Sequence, residues 1–175
     1  IEEFLEIRKA SGDFNRKSLN LHHGVNVTDE FMEAVRADED FGLRSPKTGE
    51  VIRKVSARKL WQKLIELRLQ TGEPYILFTD TVNNAMPAHQ RKLGLNVRQS
   101  NLCSEITLPT GTDHRGQERT AVCCLSSLNA EKFLEWKGDE RFLEDVYRFL
   151  DNVLEDFIER APAEMARAVY SAKRE

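Results

Sequence analysis

The chain has 175 residues, a net charge of −3, 40% apolar and 31% charged residues, which suits one soluble domain with a sizeable core. The mild acidity argues against a nucleic-acid partner, and no apolar run approaches the roughly 20 residues of a membrane span. Three cysteines without a Cys-x-x-Cys pair, and two histidines that are merely adjacent, exclude a secreted disulfide framework and a zinc-ligand spacing, and point to the reducing cytoplasm.

No secretory leader opens the chain. Ile1 replaces an initiating Met, and residues 1–7 already read as buried structure, so a segment of a longer polypeptide is expected. Phe4, Leu5 and Ile7 form a short apolar piece, strand or helix end. Residues 8–17 (RKASGDFNRK) make a polar loop with Gly12 and Asp13 as turn formers. Residues 19–27 alternate, with Leu19, Leu21, His23, Val25 and Val27 on one strand face. One of His22 and His23 is then expected in the core and the other under a helix. Thr28 is placed to cap a helix bearing Phe31, Met32 and Val35.

Residues 38–54 read as a polar connection turning at Pro46 and Gly49. Ser56 starts a helix with Leu60, Trp61, Leu64, Ile65 and Arg68 at helical spacing, ending near Gly72. Tyr75–Phe78 is a buried strand and residues 83–94 a loop. Residues 113–119 are a hydrophilic surface loop, and residues 121–128 (AVCCLSSL) a second apolar strand. Residues 139–160 carry the clearest helix pattern, with Phe142, Leu143, Val146, Phe149, Leu150, Val153, Leu154, Phe157 and Ile158 in register and Pro162 to end it. Helices alternating with single apolar strands predict an α/β fold with mostly parallel pairing.

Between the strands, residues 97–108 contain Asn101, Cys103 and Glu105 at i, i+2 and i+4. In extended chain all three point the same way, lining about 13 Å of one wall with an amide, a redox-capable sulfur and a base. Taken singly, each has a plainer reading: Cys103 a small buried hydrophobe, Glu105 an exposed strand carboxylate, Asn101 a turn residue. The acidic positions of the long helix read as a solvated face.

Four stretches, in order, resemble the catalytic (large, alpha) subunit of ribonucleotide reductase. They are Gln99-Ser100-Asn101-Leu102-Cys103-Ser104-Glu105-Ile106; Ala121-Val122-Cys123-Cys124-Leu125-Ser126; Thr71-Gly72-Glu73-Pro74-Tyr75-Ile76 with Asp80 and Asn83; and residues 9–17 running into His23-Gly24-Val25-Asn26-Val27. The resemblance implies a fragment of a ten-stranded α/β barrel. Within it, residues 8–18 resemble the specificity loop, 97–108 the finger loop and 120–128 the redox-cysteine strand, and helix 139–160 is scaffold. It implies reduction of ribonucleotides to deoxyribonucleotides.

Cys103 then matches the thiyl-radical position, Glu105 the general base on the 3′-hydroxyl and Asn101 a group orienting the sugar. Cys123 matches one half of the redox pair, with Cys124 on the opposite strand face as core packing. Asp13, Arg16 and Lys17 lie in the substrate and effector loop. Leu102 and Ile106 resemble the two-subunit class I type, whose radical comes from a dimetal beta subunit. The adenosylcobalamin-dependent relatives, the alternative, more often carry Asn-Pro-Cys in the finger. The resemblance further implies a ribonucleoside diphosphate substrate, dNTP and ATP effectors, thioredoxin or glutaredoxin as reductant, an alpha homodimer, and no metal or cofactor held by this chain. The partner cysteine and the phosphate-binding loop fall outside it, so the fragment is expected to be inactive alone. A non-catalytic nucleotide-binding module using the loop at 8–17 is the competing reading. A thiol hydrolase lacks a Cys–His pair, because His114 sits in a turn-rich loop.

Overall fold

The computed structural model describes residues 1–174. It is an α/β chain that divides into two compact units, one of residues 1–88 and 97–107, the other of residues 89–96 and 108–175.

The first unit opens with α1 (Glu2–Leu5) and a 3-10 turn, Glu6–Arg8. Leu5 is buried, whereas Ile1 and Phe4 remain substantially exposed, so only part of the apolar start is core. Asp13 caps a second 3-10 turn, Phe14–Arg16, by accepting from Asn15 N–H. Strand β1 (Gly24–Val27) is shorter than the alternation predicts. Helix α2 (Asp29–Ala37) is capped by Thr28 Oγ1, which accepts from Phe31 N–H at 3.2 Å. The expected polar connection is instead a hairpin, β2 (Asp40–Arg44) and β3 (Val51–Ser56), with its turn at Pro46 and Gly49 as predicted. Its strands show little apolar alternation because most of β3 is exposed.

Helix α3 (Ala57–Thr71) begins at a Ser56 cap and ends at Gly72, whose φ of +77° suits a residue without Cβ. Strand β4 (Tyr75–Phe78) pairs in parallel with β1, Gly24 opposite Tyr75 and Val27 opposite Phe78. Helix α4 (Thr79–Ala85) and short α5 (Ala88–Lys92) replace the loop expected over 83–94. The core beneath β1 and β4 joins Leu5, Leu64 and Leu67 to Val25, Leu60, Trp61 and Ile76. A second cluster holds Val27, Phe31 and Ala57, with Phe31 edge-on to Phe41 at 5.1 Å. Each such leucine or phenylalanine contributes roughly 2–3 kcal/mol by leaving water.

The second unit contains a minimal hairpin, β5 (Gly111–Thr112) with β6 (Glu118–Arg119), then α6 (Phe133–Trp136), α7 (Phe142–Arg160) and α8 (Ala166–Ala172). The predicted surface loop at 113–119 is thus the turn of a hairpin organised by Asp113. Its Oδ1 accepts from Arg115 and Gln117 N–H, and its Oδ2 accepts from Tyr170 O–H at 2.6 Å. Helix α7 ends before Pro162 as expected, but none of its residues is buried, and Tyr147 and Phe149 are 72% and 65% exposed.

Two expectations need correction. Residues 120–128 form no strand among the described residues, so no alternation separates Cys123 from Cys124; Cys123 is exposed and Cys124 half-buried rather than core. Pairing is not mostly parallel either: of the strand pairs among the described residues only β1 with β4 is parallel, and no barrel closes. A parallel sheet is completed by neighbours on both sides, and within these residues β1 and β4 have only each other.

Candidate active site

One face of the β1–β4 pair forms the floor of a cavity of about 220 Å³. Alternation along β1 puts Gly24 and Asn26 on this face and Val25 and Val27 in the core. The other wall is Gln99, Ser100, Asn101, Leu102 and Ser104; Cys103 and Glu105 are not among the lining residues.

That wall is anchored by two asparagines. Asn26 Nδ2 donates to Arg98 O at 2.8 Å. Asn83, on α4, clamps Val97: its Oδ1 accepts from Val97 N–H at 2.9 Å and its Nδ2 donates to Val97 O at 3.0 Å. Helix α4 is tied in turn to α2, since Asp80 Oδ2 accepts from Asp29 N–H at 2.7 Å. The Asp80 and Asn83 of the sequence motif therefore hold the base of the finger. Asn26 carried no signal beyond its place on the strand.

The finger itself is a turn, not extended chain. Ser104 N–H donates to Asn101 O at 3.1 Å, and Ser104 has a φ of +70°, the left-handed region that a serine enters at some cost. The shared face expected for Asn101, Cys103 and Glu105 is lost, because alternation holds only in a strand. A direct contact replaces it. Asn101 Nδ2 donates to Glu105 Oε1 at 2.7 Å, and Asn101 Oδ1 accepts from Ile106 N–H at 3.0 Å. Cys103 stands exposed within the turn, and Glu105 is exposed beside it. The structure thus brings Asn101 to Glu105 and puts Cys103 between them in the chain. Cys123 belongs to the other unit.

The loop residues are engaged locally. Arg16 pairs with the exposed Glu3 at 2.5 Å, Lys17 Nζ donates to Glu6 O at 3.0 Å, and Asp13 serves its 3-10 turn.

The two histidines divide differently from expectation. His23 is in the core at 6% exposure, edge-on to Phe4, and also borders the cavity. Burial pushes its pKa down, so the ring is neutral. His22 is not packed under a helix: it is half-exposed and lines the cavity, and its Nδ1 lies 2.6 Å from Oε1 of the buried Glu73. No cluster of three or more His, Cys, Asp or Glu side chains that could hold a metal occurs among the described residues, and none of their helices is long and apolar enough to cross a membrane.

Comparison with known proteins bears on the same residues. Residues 1–175 match the family described as ribonucleotide reductase, barrel domain. A ribonucleoside-diphosphate reductase large subunit of Frog virus 3 (isolate Goorha) is 51% identical, over 97% of this chain and 30% of its own length. The ribonucleoside-diphosphate reductase large subunit of Invertebrate iridescent virus 3 is 40% identical over all of this chain and 36% of its own. The ribonucleoside-diphosphate reductase subunit alpha of Chlamydia pneumoniae is 30% identical over 98% of this chain and 19% of its own. The chain thus spans between about a fifth and about a third of these relatives.

Proposed function

This chain belongs to the ribonucleotide reductase barrel-domain family, and we propose that it supplies the finger loop and one redox cysteine of a catalytic subunit that reduces ribonucleoside diphosphates. The observation that carries the reading is the finger turn, where an exposed thiol at Cys103 lies in the chain between Asn101, which lines the cavity, and Glu105, to which Asn101 is hydrogen-bonded.

In this reading a Cys103 thiyl radical removes the 3′-hydrogen of the ribose, a reversible step because S–H and sugar C–H bonds are of comparable strength. Glu105 takes the 3′-hydroxyl proton while the 2′-hydroxyl leaves as water. Two thiols then supply two electrons and two protons and close to a disulfide; Cys123 is one of them. Cys103 returns its hydrogen to the 3′-carbon, so the net change is loss of one oxygen as water against oxidation of the thiol pair. Asn101 fixes Glu105 and the sugar hydroxyls.

The radical comes from a separate metal-containing small subunit, a reading supported by the names of the relatives, large subunits and subunit alpha, and by Leu102 where Asn-Pro-Cys would mark the cobalamin-dependent type. The loop at Asp13, Arg16 and Lys17 would answer nucleotide effectors, and a dithiol protein would re-reduce the cysteines. Cys103→Ser in the full-length protein tests the assignment: turnover of CDP falls to background while CDP still binds. Retained turnover overturns it.

A further inference from the structure

His22, which lines the same cavity as Asn101, forms with Glu73 a second polar pair that the proposed reaction does not use. Glu73 is 4% exposed, at the α3–β4 junction, with Oε2 lacking a hydrogen-bond partner among the described residues. A carboxylate so buried needs compensation. Arg8 Nη1 lies 3.8 Å from Oε1 and His22 Nδ1 lies 2.6 Å from the same oxygen. Arg8 is itself held by the chain, donating from Nη1 to Leu21 O at 2.9 Å. Against a carboxylate oxygen His22 Nδ1 is the donor, which orients the ring, and Arg8 Nη1 stands 3.5 Å from the same nitrogen. The ring is half-exposed and borders the cavity, leaving Nε2 as the nitrogen for a ligand.

We infer that His22, oriented by Glu73, is a positioning residue that hydrogen-bonds the nucleotide seated in this cavity. The inference rests on the reading that the cavity takes a ribonucleoside diphosphate. Its logic is that of an imidazole aimed by a buried carboxylate: the carboxylate removes the ring's rotational freedom, so the second nitrogen meets its ligand at low entropic cost.

The test measures CDP binding at equilibrium in full-length protein carrying Cys103→Ser, so that chemistry cannot intervene, and steady-state kinetics in the otherwise unmodified protein. His22→Ala is expected to weaken CDP binding and raise KM about tenfold, the loss of one ligand hydrogen bond, with kcat within about threefold. His22→Gln, which restores a hydrogen-bonding side chain, recovers part of the loss. Glu73→Gln, which keeps the shape and weakens the orienting contact, shifts KM in the same direction by less. Unchanged CDP affinity in His22→Ala overturns the inference and leaves the reaction assignment standing. A protein with intact His22 that binds no CDP overturns the assignment itself.

Discussion

Asn101 Nδ2 donates to Glu105 Oε1 at 2.7 Å, so the amide holds the proposed base across the finger turn. The same amide accepts from Ile106 N–H with its oxygen. Its oxygen also accepts from Ser100 Oγ at 3.1 Å, so Asn101 is committed at both ends, and rotating it would cost three hydrogen bonds. The position of the Glu105 carboxylate follows from the position of Asn101.

Asn101→Ala should consequently remove more than one contact with substrate. It frees Glu105 and opens the turn, and misplacing a catalytic group by about 1 Å can cost on the order of 10²-fold in rate. We expect kcat/KM to fall by about that factor in the full-length protein. Because the two residues act as a unit, Asn101→Ala combined with Glu105→Gln should be little worse than the more damaging single change. Multiplicative losses in the double variant would show that the two act independently.

His23 gives a prediction about stability. Its ring is buried and packed on Phe4. Burial lowers its folded pKa below the ordinary value of 6.5. The unfolded chain therefore takes up a proton that the folded chain resists, and stability is lost as pH falls below about 6.5. His23→Phe keeps an aromatic of similar shape and removes the titrating group, so the two proteins should differ in how their stability depends on pH. The stability of the histidine protein relative to His23→Phe should fall between pH 6.5 and 5 in urea titrations, because only the histidine protein carries this buried titrating ring. A pH-independent difference would refute the burial argument.

Much of this was legible in the sequence, and the failures share a cause. Thr28, Ser56 and Gly72 marked their helix ends correctly because caps are local. Tyr75–Phe78 was legible as a strand because its apolar run packs over α3. The finger differs from the extended chain expected because Asn83 and Asn26, distant in sequence, fix its base, and because Asn101 folds back onto residues 105 and 106 within the motif, which period-two alternation does not register. The hairpin at residues 40–56 was missed because a strand exposed on much of its surface does not alternate. His22 could have been singled out only by knowing that Glu73, 51 residues on, lies against it.

Asp113 and Tyr170 lock α8 to the β5–β6 turn. The Tyr170 hydroxyl, donating at 2.6 Å, is the largest cause that brings the Asp113 pKa down to about 2, helped by the Gln117 and Arg115 amides. A carboxylate whose folded pKa is depressed contributes stability above its unfolded value near 3.8, and that contribution disappears as pH falls through about 2. Tyr170→Phe should accelerate hydrogen exchange of the α8 amides at pH 6. The gap from the unmodified protein should narrow as pH is lowered from 4 through about 2, as the carboxyl of the unmodified protein becomes protonated as well. Equal exchange at pH 6 would mean that the bond does not hold the helix.

Asn83 makes the finger's base rigid, and its replacement separates scaffold from chemistry. Its amide meets both backbone polar groups of the buried Val97, and its Nδ2 also donates to Thr79 O within α4. Asn83→Ala leaves the Val97 N–H and C=O without these partners, a loss of about 2 kcal/mol for two part-buried hydrogen bonds. If that energy acts locally, amide protection across residues 97–107 should fall by about 30-fold in hydrogen exchange, while α3 exchanges as before. Asn83→Asp keeps the acceptor for Val97 N–H but not the donor for its carbonyl, and should restore roughly half of the protection. Turnover should fall in the same order, Asp then Ala, because the thiol and the Asn101–Glu105 pair hang from this anchor. Protection lost equally in α3 would mean that Asn83 stabilises the first unit as a whole rather than the finger.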